Sequence, residues 1–210
     1  MPKIKSNLAI LSASNISKQL SISESEVLST FSSELIARTA VMNVTDPINA
    51  LRNIKKNLDS LTFASVSEAT GWSETLVAAT FTTGDLRQIA VSYPNDMYEP
   101  FKKAKQNIRL LSNENIADVI GNTIEVADKM FTNRDRVTIA LRNCDAPMWA
   151  VKRIYDNLSL LSDGAIAVAL GWTEDEVRKT ITYSDRKYHS IHNINAPMSG
   201  LVNRFSQTSS

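Results

Sequence analysis

Residues 157–182, NLSLLSDGAIAVALGWTEDEVRKTIT, hold the pattern that decides the fold. Their opening phrase returns at an interval of 50. Asn7, Asn57, Asn107 and Asn157 begin NLAILS, NLDSLT, NIRLLS and NLSLLS. The register continues without a gap through Leu11, Leu61, Leu111 and Leu161, then Ile16, Val66, Ile116 and Ile166, then Phe31, Phe81, Phe131 and Ile181. A fixed period of this length marks a tandem array of supersecondary units. The boundaries read from it are 1–46, 47–96, 97–146 and 147–202, with a polar tail, NRFSQTSS, at 203–210.

Each unit reads as four short helices, so the expected fold is all-α: a tandem array of four helical repeats of 50 residues. Val151, Ile154, Leu158 and Leu161 fall at helical spacing in the first helix of the last unit. Pro47, Pro147 and Pro197 sit at first-helix starts, where a missing N–H costs nothing. Asp46 and Asp145 stand as caps before two of them, while Met97 replaces the proline in the third unit and predicts a different start. Hydroxyls at fixed positions punctuate the rest. Ser12, Thr62, Ser112 and Ser162 precede the second helix, Ser23, Ser73, Thr123 and Thr173 the third, and Ser32, Thr82, Thr132 and Thr182 the fourth. Ser23 with Glu26, and Thr173 with Glu176, fit the reciprocal capping box. Gly71, Gly121 and Gly171 end the second helices, and Ser21 stands in the equivalent place at some conformational cost. No segment alternates with a period of two, so no sheet is expected.

The totals exclude several classes. The chain has 210 residues, 43% of them hydrophobic, with 23 basic against 22 acidic side chains. So even a balance argues against a strongly electrostatic partner. No apolar run approaches the roughly 18 residues of a membrane helix, and the start MPKIKSNLAILS is too short in apolar residues for a signal peptide. One cysteine, Cys144, builds neither a disulfide framework nor a cysteine metal site, which makes a reducing, cytoplasmic setting the expectation.

The segment Ile166-Ala167, Leu170-Gly171-Trp172 and Val177 resembles the helix-turn-helix motif of DNA-binding proteins. Ile116-Ala117, Ile120-Gly121 and Ala127 repeat it; so do Val66-Ser67, Gly71-Trp72 and Val77, and, without the glycine, Ile16-Ser17, Leu20, Ile22 and Val27. The resemblance covers about 20 residues of each unit and implies a shape shared by many helical hairpins. It also implies that the third helix would enter a major groove. Yet Glu24, Glu74, Glu125 and Glu174 lie in the first turns of the third helices, where acids favour the helix dipole without any partner and repel phosphate.

Basic residues gather elsewhere. Lys3, Lys5, Arg52, Lys55, Lys56, Lys102, Lys103, Lys105, Lys152 and Arg153 lie on first helices; Arg38, Arg87, Arg134, Arg136, Arg186 and Lys187 lie on fourth helices; Arg178 and Lys179 share a third helix. The candidate nucleic-acid contacts are Lys102, Lys103, Lys105, Arg134, Arg136, Lys152, Arg153, Arg178, Lys179, Arg186 and Lys187. A solvated basic face explains the same residues. Residues 101–150 carry eight basic and six acidic side chains, and residues 51–100 four and six, so any phosphate binding should fall on the later units.

Catalytic chemistry is not expected. His189 and His192 share a helical face without a third metal ligand, and Cys144 has no histidine nearby. The six glycines form no phosphate loop. Trp72 and Trp172 read as core residues, and Trp149 as a packing or partner residue. The expected protein is a non-enzymatic binding protein with no cofactor, no metal, no small-molecule substrate and no membrane span. Its partner is nucleic acid, through the helix-turn-helix-like units, or alternatively another protein, in a module that keeps the shape without binding DNA.

Overall fold

The structure, a computed structural model, describes residues 2–42 and 45–206; the side chains of residues 2–5, 34, 38, 41 and 42 lie outside that description. Lys3, Lys5 and Arg38 of the expected basic face, and residues 207–210 of the expected tail, therefore fall outside it. The protein is all-α. Its helices run α1 (Pro2–Ile10), α2 (Ala13–Leu20), α3 (Glu24–Thr30), α4 (Ser33–Met42), α5 (Pro47–Ser60), α6 (Phe63–Thr70), α7 (Glu74–Thr80), α8 (Thr83–Ser92), α9 (Glu99–Leu110), α10 (Asn113–Ile120), α11 (Ile124–Met130), α12 (Asn133–Arg142), α13 (Pro147–Leu160), α14 (Asp163–Leu170), α15 (Glu174–Thr180), α16 (Tyr183–His192) and α17 (Pro197–Ser206). Among the described residues no helix is long and apolar enough to cross a membrane.

Local chemistry sets these boundaries. Ser12, Thr62, Ser112 and Ser162 each accept the amide N–H three residues on, as do Ser23, Ser73, Thr123 and Thr173 at the next helices. Thr82, Thr132 and Thr182 do the same for α8, α12 and α16, and Ser32 accepts from Leu35 at 3.2 Å. Each such bond satisfies a first-turn donor that the helix leaves open. Gly71, Gly121 and Gly171 adopt φ of 67°, 65° and 70°, and Ser21 takes φ 56° in the same role.

Three expected features differ. Asp46 caps α5 through Asn49 at 2.9 Å, but Ala146 occupies the cap position of α13. Asp145 lies one residue too early and pairs instead with Lys103 at 2.5 Å. The reciprocal box forms at Thr173 and Glu176, whereas Glu26 turns from Ser23 to Lys55 at 3.3 Å. The different start expected after Met97 is present: α9 begins at Glu99, with Asp96 Oδ1 accepting the amides of Tyr98 and Glu99 at 3.3 and 3.2 Å. The stretch 203–210 is not wholly a tail: α17 runs to Ser206, and Phe205 is buried in the core.

The chain divides into two compact units, residues 1–101 and 102–210. In the first, Leu11, Ile16, Val27, Phe31, Leu35 and Ala40 close their core with Leu51 and Ile54 of α5. In the second, Leu161, Ile166, Ala167, Val177 and Ile181 close theirs with Leu201 and Phe205 of α17. In both, α2 or α14 packs on a first-type helix that begins the following stretch of sequence. A stretch of 50 residues buries too little apolar surface on its own, and this borrowed helix supplies the remainder.

The recurring asparagine is a buried tie. Asn7, Asn57, Asn107 and Asn157 are all buried. The Nδ2 atoms of the first three donate to the carbonyls of Ala40, Ala90 and Ala140 at 3.3, 3.4 and 3.5 Å. Asn57, Asn107 and Asn157 also donate to Pro94, Cys144 and Ile194 at 3.2, 2.8 and 2.8 Å. Each amide thus serves carbonyls that the end of a fourth helix leaves without a helical partner.

Candidate interaction surfaces

The third helices project from the core by one anchor each. Val27, Val77, Ala127 and Val177 are fully buried, while most residues around them are exposed. Apolar side chains sit on these open faces: Leu28 is 68% exposed, Leu76 46% and Ile124 46%. The acidic first turns of α3, α7, α11 and α15 share the same exposed stretch.

Most of the candidate phosphate contacts have internal partners. Arg136 Nε donates to the Phe131 carbonyl at 3.1 Å, and its terminal nitrogen reaches Asn113 Oδ1 with Asp128 at 3.8 Å. Arg186 bonds Asp163 at 2.5 Å and the Leu161 carbonyl at 3.2 Å. Arg178 holds Asp163, Glu174 and Asp175 at 2.9, 3.0 and 2.9 Å. Arg186, then Arg178, keep the Asp163 carboxyl below its ordinary range. Lys187 pairs with Asp135 at 2.5 Å, Lys152 with Asp156 at 2.6 Å, and Lys103 with Asp145. Lys102, Arg134, Arg153 and Lys179 are exposed, and Lys105 is half-buried. The eleven residues therefore do not form one open basic surface: some are internal clamps and others face solvent.

The clamps stand at positions that are apolar earlier in the sequence. Arg136 and Arg186 are 100 residues after Ile36 and Leu86, and their partners Asn113 and Asp163 are 100 residues after Ala13 and Phe63. The carboxylates Asp85, Asp135 and Asp185 sit at the third position of their helices and close capping boxes with Thr82, Thr132 and Thr182; Asp135 also takes Lys187, and Asp185 takes Arg204 at 3.1 Å. Their signal was present in the sequence as threonine followed three residues later by aspartate.

The remaining chemistry-bearing residues are structural in setting. Trp72 stacks on Phe81, with ring centroids 5.9 Å apart, and Trp172 packs on the core of the second unit. Trp149 is 54% exposed. Cys144 is buried beside the Asn107 amide. His189 is buried with Nδ1 against Asn193 Nδ2 at 3.0 Å, and burial, then Arg204, push it below the usual imidazole range against the pull of Asp185. His192 stacks on Tyr188 at 4.0 Å; burial, then Arg142, lower it as well. Gly200 lets α17 approach this pair, since a Cβ there would meet Asn193 at 2.4 Å. Among the described residues no three His, Cys, Asp or Glu side chains gather as a metal site.

No family model, curated protein or solved structure matches this chain. Any functional reading rests on the geometry above.

Proposed function

We propose that the chain is a non-enzymatic, protein-binding array of four helix-turn-helix-like modules that keep the shape of the DNA-reading unit and present it to a protein. One observation carries this reading. The third helices, which would have to face phosphate, open with acids and expose Leu28, Leu76 and Ile124, while Arg136, Arg178, Arg186 and Lys187 are engaged by carboxylates or carbonyls of the same chain. Such apolar side chains with polar neighbours suit a contact that has an apolar centre and a polar rim. An acidic helix start is a poor neighbour for a polyanion.

A second reading, nucleic-acid binding, has its own support. Residues 102–210 carry 15 basic and 12 acidic side chains, and Lys102, Arg153 and Lys179 are exposed. One experiment separates the two. A photo-crosslinking amino acid replaces Leu76 or Ile124 in the full chain, expressed in its own cells. Protein binding gives nuclease-resistant cross-links to a defined protein. The reading is refuted if the chain is instead retained by nucleic acid in a salt-sensitive way and that retention is lost on Lys102→Ala, Arg153→Ala and Lys179→Ala together.

A further inference from the structure

The ends of α3 and α5 and the start of α8 enclose an open cleft of about 480 Å³. Its size suits a few residues of a peptide. The floor is apolar, formed by Leu61 and Leu86, both buried, and by half-buried Leu58. Gly84 lines the cleft where the later units carry Arg134 and Ser184. The backbone does not require glycine there, because a Cβ would meet only Thr82 Oγ1 at 3.5 Å.

The wall holds one exposed cation without an internal anion. Arg87 donates to the Thr30 carbonyl at 2.7 Å, which fixes its guanidinium at the cleft, and among the described residues it meets no carboxylate. Register explains the vacancy in its bonding. Lys187, 100 residues further on, pairs with Asp135 at 2.5 Å. The residue equivalent to Asp135 is Leu35, which is buried in the core. Asp59 also lines the cleft, but Lys55 holds it at 3.0 Å.

We propose that this cleft binds a peptide segment in which a carboxylate neighbours a leucine-like side chain. The carboxylate bonds the free edge of Arg87, and the apolar side chain rests on Leu61 and Leu86. Guanidinium and carboxylate are matched in shape as well as charge. The inference deepens the protein-binding reading and depends on it. The carboxylate is that of an acidic side chain within the segment.

The test is a titration of the isotope-labelled full chain with acetyl-Leu-Glu-Leu-amide, acetyl-Leu-Leu with a free carboxylate, and acetyl-Leu-Gln-Leu-amide. The expected result is that the amides of Thr83 and Gly84 and the methyls of Leu61 and Leu86 move with the acidic peptides. The glutamine peptide should bind about tenfold more weakly, the cost of one charge-assisted contact. The glutamate peptide should bind more tightly than the peptide with the free terminus, and the reverse order overturns the assignment to a side chain. Arg87→Gln should erase the preference for acid, and Gly84→Arg, which copies the residue at 134, should abolish binding without lowering the melting temperature. Equal affinity for the glutamate and glutamine peptides, shifts that persist in Gly84→Arg, or no shift at millimolar peptide each overturns the inference. If the peptides fail while cross-links from Leu76 and Ile124 persist, this inference falls alone; if those cross-links also fail, the protein-binding reading falls with it.

Discussion

Replacing Asn107 tests the buried tie from α9 to the end of α12. Its amide donates to Ala140 at 3.5 Å and Cys144 at 2.8 Å, from a side chain 7% exposed. Asn107→Leu keeps the branched shape, at the cost of some added bulk, and removes both donations. The lost bonds cost about 1 kcal/mol net, and a buried carbonyl left unpaired costs about 1–2 kcal/mol more. The sum, about 2–3 kcal/mol, corresponds to on the order of 10 °C in Tm for a unit of this size. Urea unfolding in a Trp72→Phe background reads this directly, because Trp149 and Trp172 then report on residues 102–210 alone. Cys144 supplies an independent readout: it is buried beside the bond, so its labelling by a thiol reagent should quicken in the variant. Asn107→Asp sharpens the case. An ionised carboxylate would face carbonyl oxygens from a buried position, so its folded-state pKa must rise above the unfolded value of about 3.9. The protonated acid can still donate to Cys144. Stability relative to the parent should therefore be best below pH about 4 and fall as pH rises through the raised value. A cost for Asn107→Leu under about 0.5 kcal/mol, well below a satisfied buried hydrogen bond, with unchanged thiol labelling would refute this account.

Other perturbations follow from the same geometry. His189 is held below its ordinary pKa, chiefly by burial, so its contribution to the stability of residues 102–210 should be full above pH about 6.5 and decline as pH falls below that value; His189→Ile, the residue at 89 and 139, should make the profile measured by urea unfolding shallower, leaving the part due to His192. Ser21→Gly relieves a left-handed serine and should raise the stability of residues 1–101 by up to about 1 kcal/mol, read by calorimetry. Asp163→Phe with Arg186→Leu transplants the Phe63 and Leu86 pair; the double variant should be more stable than either single one. It should also lose the acid sensitivity that the lowered Asp163 pKa confers, since the parent loses that stabilisation as pH falls through the folded value.

Much of the architecture was legible because its causes are local. A hydroxyl three residues ahead of an amide, or a glycine at the end of a helix, acts within one turn, and the caps at Ser12 through Thr182 and the left-handed Gly71, Gly121, Gly171 and Ser21 stand where the sequence places them. The differences among local signals had separate causes. Asp145 is one residue from the cap position, Glu26 is drawn away to Lys55, and the boxes at Thr82, Thr132 and Thr182 close with aspartate, a shorter chain than glutamate. The candidate contacts were far less legible. Arg186 and Asp163 are 23 residues apart, and Lys187 and Asp135 are 52 apart in different repeats. No periodicity distinguishes an arginine that clamps its own chain from one that faces solvent.

The sequence by itself determined an all-helical chain cut into short pieces at an interval of 50, because capping, turn conformation and helical spacing each act over a few residues. Only tertiary structure decided what the repeating asparagine bonds, that the core of Leu161 and Ile166 must be closed by Leu201 and Phe205, and that a cleft opens where Gly84 meets Arg87. Those outcomes depend on groups brought together from distant positions, and burial, which converts an ordinary amide or guanidinium into a fixed partner, exists only once the chain has packed.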